Sequence, residues 1–224
     1  MTLDVAVLVV AKAPVPGFAK TRLARDVGDT RAAGLAAASL LDTLDAVAGA
    51  GVAQRVVAMT GDLARAVRGS DIAATLSSFT VVPQRGESFA ERLVNAHADT
   101  FGHFGLPILQ IGMDTPQVTA GLLADSADLL TERRGRCALG LAEDGGWWIL
   151  GVPDAVSARA ILSVPTSSPD TGRLTRAALL AAGAEVLSLP TLRDVDYASD
   201  VAPVAALCSD SSRFRREYLS TSGG

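Results

Sequence analysis

Aromatic residues are scarce in this 224-residue chain, 4% against 49% hydrophobic residues overall, so a core has to be built from Ala, Val and Leu. Cysteine is scarcer still. Cys137 and Cys208 are too few for a disulfide framework and lack metal-ligand spacing, which predicts buried free thiols in a reducing compartment. Histidine is confined to His97 and His103. Six apart on one expected helix, they do not share a face as metal ligands would, and they leave little from which to build a Ser-His-Asp or Cys-His site. Both read as structural or surface residues.

A basic excess is missing too. The formal net charge is −4, which disfavours a general nucleic-acid binder, because that needs a basic footprint; any anion site must be local. Asp4 interrupts the start of the chain, and no A-x-A cleavage pattern follows a basic segment. The early apolar run Val5–Ala11 falls far short of the roughly 20 residues that span a bilayer. The expectation is a soluble, cytoplasmic protein with neither a nucleic-acid nor a membrane partner.

What the chain does have is an unusual loop after its first apolar run. Ala11–Leu23 reads A-K-A-P-V-P-G-F-A-K-T-R-L. Prolines and cations are poor core material, so the stretch makes sense if something anionic, such as a nucleotide's phosphates, lies over it. Ala11, Lys12 and Pro14 lead into it, and Gly17 allows a backbone conformation or a close approach that a side chain would block. Lys20 supplies a compact charge and Arg22 a bidentate fork, both suited to phosphate oxygens. The residue before Lys20 is Ala19 rather than Gly, so this is neither a Walker A loop nor a G-x-G-x-x-G fingerprint.

Strand-like and helix-like segments alternate along the rest. Strands are expected at Val5–Val10, Arg55–Met59, Phe79–Val82, Pro107–Ile111, Cys137–Leu141, Trp147–Val152 and Glu185–Leu189. Helices are expected at Thr30–Ala48, Leu63–Arg68, Phe89–Phe104, Val118–Leu130, Ala155–Leu162 and Asp170–Ala182, with a helical C-terminal tail. Ser88 and Glu91 have capping-box spacing before the third of these helices. The alternation predicts one α/β domain over residues 1–220, with a mostly parallel sheet and a frayed end at 221–224. Ligands in such folds collect at the carboxyl ends of strands, where the polar and Gly-rich clusters fall.

Several of those clusters can carry chemistry. Asp114, in I-G-M-D-T-P, can hold Mg²⁺ beside substrate phosphates or serve as an N-cap, although Thr115 and Thr119 could cap as well. Asp194 and Asp196, in L-R-D-V-D-Y, alternate in an extended segment and so could face one metal, or could form an acidic turn before a helix. In L-A-E-D-G-G-W-W-I-L-G-V, Glu143 or Asp144 could orient an acceptor hydroxyl or amine. Gly145, Gly146 and Trp148 would complete a pocket wall, unless the segment is an ordinary hairpin. Gln84, Gly86 and Arg92 belong to P-Q-R-G-E-S-F-A-E-R-L, which suits either the edge of a nucleobase or a helix cap.

Taken in order, these motifs, with S-S-P-D-T before R-D-V-D, resemble the DUF2064 family. That family is described as CofC-like or glycosyltransferase-like, within the GT-A nucleotide-diphospho-sugar transferase superfamily. The resemblance spans roughly Val5 to Asp200. It implies a three-layer α/β/α sandwich, a Rossmann-like GT-A fold with a mixed, mostly parallel sheet, that binds a nucleotide with Mg²⁺ or Mn²⁺. It also implies that Gly17, Lys20 and Arg22 match the phosphate loop, Gln84 and Gly86 the base-side segment, Asp114 the metal aspartate and Asp196 a second one. Trp147-Trp148 departs from the tyrosines often found there. The implied partners are a nucleoside triphosphate or nucleotide sugar and a small acceptor, with a homodimer compatible with the fold. Two reactions share this scaffold. The Lys/Arg-rich loop and the lone Asp114 in its turn favour nucleotidyl transfer, with Lys20, Arg22 and Asp114 as catalytic residues. Glycosyl transfer from a nucleotide sugar is the alternative.

Overall fold

The computed structural model of the protein describes residues 2–132 and 135–220; the T-S-G-G end at 221–224 lies outside the described residues. The chain begins with β1 (Leu3–Lys12), α1 (Thr21–Val27), α2 (Asp29–Gly49), β2 (Val52–Thr60), α3 (Gly69–Leu76) and β3 (Thr80–Pro83). It continues through α4 (Phe89–Phe104), β4 (Ile108–Ile111), α5 (Ala120–Thr131), β5 (Arg136–Ala142) and β6 (Trp147–Val152). It closes with α6 (Ala155–Ala158), α7 (Thr171–Ala181), β7 (Glu185–Leu192), α8 (Ala198–Leu207) and α9 (Arg213–Ser220).

The strands form one seven-stranded sheet in the order β3-β2-β1-β4-β6-β5-β7. β6 runs antiparallel to both its neighbours, β4 and β5, and the other pairings are parallel. β1 lies near the middle and is buried from Val5 to Ala11, which is why its sequence is a continuous apolar run rather than an alternating one. Its Val5, Val7 and Val9 pack with α2, α3 and α5 on one face of the sheet. Ala6, Leu8 and Val10 pack with α4, α6 and α7 on the other. The expected three-layer sandwich is therefore present, with small aliphatic residues filling both interfaces.

A third, smaller core explains the C-terminal helices. Leu23 of α1, Leu35 and Ala38 of α2, Val201 and Val204 of α8 and Phe214 of α9 pack together with Val195. Asp42, on α2, caps α9: its carboxylate accepts from Ser212 Oγ at 2.6 Å, Arg213 N at 2.9 Å and Phe214 N at 2.9 Å. This satellite core matters for function because it fixes both Leu23, just beyond Lys20, and Val195, which lies between Asp194 and Asp196.

Some expected boundaries are corrected. Thr21–Val27 is a helix that periodicity could not reveal, since Leu23 is its one buried residue. At Leu63–Arg68 the chain makes only a single 3₁₀ turn, Leu63–Arg65, capped by Asp62. The regular helix α3 starts later, after a left-handed Arg68, at a glycine that reads in sequence as a breaker. The helix expected at Ala155–Leu162 is four α-helical residues followed by a 3₁₀ turn, Arg159–Ser163. β7 continues through Pro190 to Leu192, which an edge strand tolerates because its outer N–H groups have no sheet partner. α2 is, among the described residues, the one helix long and apolar enough to cross a membrane; 78% of its most apolar window is buried within the protein, as in a core helix.

Candidate active site

A cleft of about 480 Å³ opens at the carboxyl ends of β1, β2, β4 and β5, where β6 begins. Of the residues singled out from sequence, Ala11, Lys12, Lys20, Arg22, Gln84, Arg92, Asp114, Asp144, Gly146, Trp148, Asp194 and Asp196 line it. Pro14, Gly17, Gly86, Glu143 and Gly145 do not.

The loop after β1 is better anchored than its composition suggests. Ala13, Pro14 and Ala19 are buried, and the Pro14 carbonyl accepts from Val67 N at 3.0 Å. Gly17 has φ +74 in an exposed turn whose nearest neighbour is the Asp29 carboxylate. Lys20 ends the loop in the left-handed region, with φ 51 and ψ 46, and so precedes α1 with its side chain over the sheet.

The Lys20 ammonium donates to Asp114 Oδ2 at 3.0 Å and to Asp196 Oδ1 at 2.7 Å. Arg22 Nη1 donates to the other Asp196 oxygen at 2.9 Å. The route by which these distant residues meet lies in the backbone. Val195 N donates to the Asp114 carbonyl at 2.9 Å, docking the segment after β7 against the turn after β4. Val195 points into the satellite core, so Asp194 and Asp196 turn the other way. Carboxylate oxygens of Asp114, Asp194 and Asp196 all lie within 4.8 Å of one another.

This grouping sets the electrostatics. Burial alone would lower the Lys20 pKa, but Asp114 and Asp196 outweigh it and hold the ammonium charged, above the usual lysine range. Burial likewise pushes Asp196 up, and Lys20 and Arg22 reverse that, leaving it below the usual carboxylate range. Asp194 is pushed up to about 7 by burial and by the charges of Asp114, Asp144 and Asp196, with Lys20 opposing. Three converging carboxylates, one of them poorly compensated, suit a divalent cation with oxygen ligands.

The other flank of the cleft is differently built. Lys12 closes β1, its backbone N–H donating to Met113 Sδ at 3.1 Å and its ammonium 3.9 Å from the centre of the Phe18 ring. Arg92 comes from the first turns of α4, with its guanidinium 5.9 Å from the Phe89 ring and its Nε buried without a hydrogen-bond partner. The helix that carries it starts with the expected capping box: Glu91 N donates to Ser88 Oγ at 3.1 Å, and Ser88 N to Glu91 Oε2 at 3.2 Å. The Lys12 pKa is lowered, first by burial and then by the positive charge of Arg92.

Several expected ligand contacts are instead used by the protein itself. Gln84 Nε2 donates to the Ala11 and Ala58 carbonyls, at 2.8 and 2.9 Å, tying β1 to β2. Gly86, at φ +129, lets the chain pass over α4; a Cβ there would sit 2.7 Å from Glu91 Cβ. Gly145, at φ +90, admits the Pro169 carbonyl, which would lie 2.0 Å from a Cβ, so the close approach it permits is by the S-S-P-D-T segment. Glu143 is paired with Arg193. Trp148 is buried and donates Nε1 to the Pro190 carbonyl at 2.8 Å, while Trp147 is half-buried beside the cleft.

Trp147, part of the same tryptophan pair as Trp148, lines the cleft too, but sequence reasoning missed part of the wall: Gln110, Thr166, Ser167 and Ser168. The S-S-P-D-T motif was a signal for the last two, and Ser167 is held at φ 58, a sparsely populated conformation for a non-glycine residue. Gln110 left no signal, being a single polar residue in a buried strand.

Residues 43–168 match the family described as "Uncharacterized protein conserved in bacteria (DUF2064)". A Desulfovibrio desulfuricans G20 protein, provisionally named a nucleotide-diphospho-sugar transferase, is similar in structure: TM-score 0.81, 27% identity, 98% of this chain and 94% of that one. A nucleotidyl transferase from Methanothermobacter superposes with a TM-score of 0.62 at 19% identity, over 95% of this chain and 98% of its own. A CMP:2-keto-3-deoxy-manno-octonic acid synthetase complexed with CTP gives 0.54 at 13% identity, over 91% and 98%. The latter two show the shared Rossmann-like GT-A fold. No curated protein matches the sequence.

Proposed function

The chain belongs to the DUF2064 family, and on that premise we propose that it is a Mg²⁺-dependent nucleotidyltransferase. It joins a nucleoside monophosphate unit from a nucleoside triphosphate to a small phosphorylated or otherwise anionic acceptor and releases pyrophosphate. The observation that carries this reading is the meeting of Lys20 and Arg22 with Asp114, Asp194 and Asp196 at the strand ends of a transferase fold.

The three carboxylates would hold Mg²⁺ or Mn²⁺, which when bound neutralises charge on the polyphosphate. In the reaction an ionised acceptor oxygen attacks the α-phosphorus in line. The new P–O bond forms as the bond to the β-phosphate oxygen breaks, and the electron pair leaves with pyrophosphate. An acceptor that is already ionised requires no general base, which accords with a cleft whose lining contains no histidine. Lys20, held charged, supplies positive charge beside the transferring group, and Arg22 can reach phosphate oxygens from the exposed edge. Asp144, exposed at the hairpin tip and lining the cleft, would contact the acceptor.

A second reading, glycosyl transfer from a nucleotide sugar, is favoured by the name of the Desulfovibrio protein. One experiment separates the two: incubation with each nucleoside triphosphate, Mg²⁺ and a panel of phosphorylated acceptors, assaying pyrophosphate. Nucleotidyl transfer predicts release that disappears in Lys20→Ala and Asp114→Ala. Cleavage of a nucleotide sugar, with no pyrophosphate from any triphosphate, would replace it with the second reading.

A further inference from the structure

Most of the basic side chains around this cleft are neutralised. Lys20 is bonded to Asp114 and Asp196, Arg22 to Asp196, and nearby Arg85 and Arg193 to Asp99 and Glu143. Lys12 and Arg92 differ. Among the described residues, neither forms an ion pair with a carboxylate. They reach the same cleft from different elements, Lys12 from the end of β1 and Arg92 from α4.

We propose that Lys12 and Arg92 form an oxyanion-binding subsite that holds a phosphate or carboxylate group of the substrate, apart from the carboxylate cluster that suits a cation. The inference rests on the reading of the cleft as a transfer site, and it moves the task of gripping the substrate's negative charge from Lys20 and Arg22 to this second pair.

Three features carry it. First, two like charges line one partly buried cleft, and among the described residues neither is ion-paired with an acid that would relieve their repulsion; an oxyanion between them would do so. Second, Phe18 and Phe89 lie beside the two cations, at 3.9 and 5.9 Å, and such ring contacts attract a cation without neutralising it. Third, Arg92 Nε is buried without a hydrogen-bond partner, and a guanidinium edge presents two parallel N–H donors that match an oxyanion bidentately. The donors are also chemically one-sided. Neither side chain can accept a hydrogen bond, so the complementary ligand group is one made of acceptors.

The oxyanion has two sources, the triphosphate of the nucleotide or the anionic group of the acceptor, and binding experiments separate them. Both tryptophans of the chain line the cleft, so intrinsic fluorescence reports its occupancy. Inorganic phosphate, titrated without metal or nucleotide, is expected to change the fluorescence saturably. Lys12→Met and Arg92→Met keep the apolar stems and are each expected to weaken that binding by about tenfold or more. Lys12→Arg should retain it, and Arg85→Gln, which alters a neutralised cation nearby, should not change it. Displacement of phosphate by nucleoside triphosphates and by small sugar phosphates then assigns the source, according to which competitor loses affinity in the methionine variants. Unaltered phosphate binding in both methionine variants, with their fold verified by circular dichroism, overturns the subsite. Phosphate binding that depends on Lys12 and Arg92, together with no pyrophosphate release from any triphosphate, would leave the subsite standing and sink the transfer reaction instead.

Discussion

Two pairs of basic residues face one cleft in opposite electrical states. Lys20 and Arg22 are tied to carboxylates; Lys12 and Arg92 sit against aromatic rings and against each other's charge. The residue types are the same, so the difference comes from what the fold brings opposite them. The segment after β7 crosses to the turn after β4 and brings Asp196 to Lys20 and Arg22, with Asp194 beside them. Among the described residues, no carboxylate forms an ion pair with Lys12 or Arg92. In this cleft the unpaired cations are the ones free to receive an anion outright, while Lys20 and Arg22 also serve as counter-ions of a cluster that could take a metal.

The largest expected effect comes from undermining one pair and not the other. Phe214 is fully buried in the satellite core that holds Leu23 and Val195, and so stands behind Lys20 and Asp196 but not behind Lys12 and Arg92. Phe214→Ala should cost about 3–5 kcal/mol of stability, measured by urea unfolding. The milder Phe214→Leu should keep the fold and weaken Mn²⁺ binding while leaving phosphate binding unchanged. If both binding constants fell together, the two pairs would not be independent.

The next effect contrasts two ionisable groups on one helix. α4 presents Arg92 to the cleft and buries His97 completely, with Gln110 as the polar side chain acting on its ring. Burial lowers the His97 pKa from 6.5 to about 4, with a partial offset from Gln110. Below pH 6.5 the unfolded chain takes up a proton that the native state refuses, so stability falls as the pH drops from 6.5 towards 4 and levels off below that. At about pH 4.5 this costs about 2–3 kcal/mol relative to neutrality. His97→Leu should remove that part of the acid-side loss; equal pH dependence in the two proteins would mean that His97 titrates normally.

Much of this architecture is legible in the sequence and some of the site is not, for identifiable reasons. β1 is a buried central strand and reads as one because every position from Val5 to Ala11 is apolar. The capping box at Ser88 reads correctly because it is local. Asp114, Asp196 and Lys20 are each readable as polar residues at strand ends, yet their ion pairs span 94 and 176 positions and exist only through a backbone bond from Val195 to Asp114. Sequence therefore shows the cations without showing which are neutralised. The glycines mislead in the opposite direction: Gly86 and Gly145 look like openings for a ligand, and the chain itself fills them.

A smaller effect tests whether Lys20 acts as the counter-ion of the carboxylates. Lys20→Met keeps the stem and removes the charge bonded to Asp114 and Asp196. The three carboxylates, left without that cation, should bind Mn²⁺ more tightly, by about tenfold, equivalent to about 1.4 kcal/mol. Calorimetry measures this directly, and weaker binding would mean that Lys20 supports metal binding rather than competing with it. Turnover should fall in the same variant, because the charge beside the transferring group is gone.

The smallest effect repeats the comparison within a single turn. Glu143 and Asp144 are adjacent acids at the β5–β6 hairpin, but Glu143 is paired with Arg193 and lies outside the cleft, whereas Asp144 lines it. An exposed ion pair of this kind contributes about 0–1 kcal/mol. Glu143→Gln should therefore shift the urea midpoint only slightly and change the acceptor KM by about twofold or less. Asp144→Asn should leave stability similarly intact but raise the acceptor KM several times more, because it removes a charge that lines the cleft. Equal effects on KM would place Glu143 in contact with the acceptor, after release from Arg193. A large effect of Glu143→Gln on stability would mean instead that its pairing with Arg193 is what holds the segment after β7, and hence Asp194 and Asp196, in position.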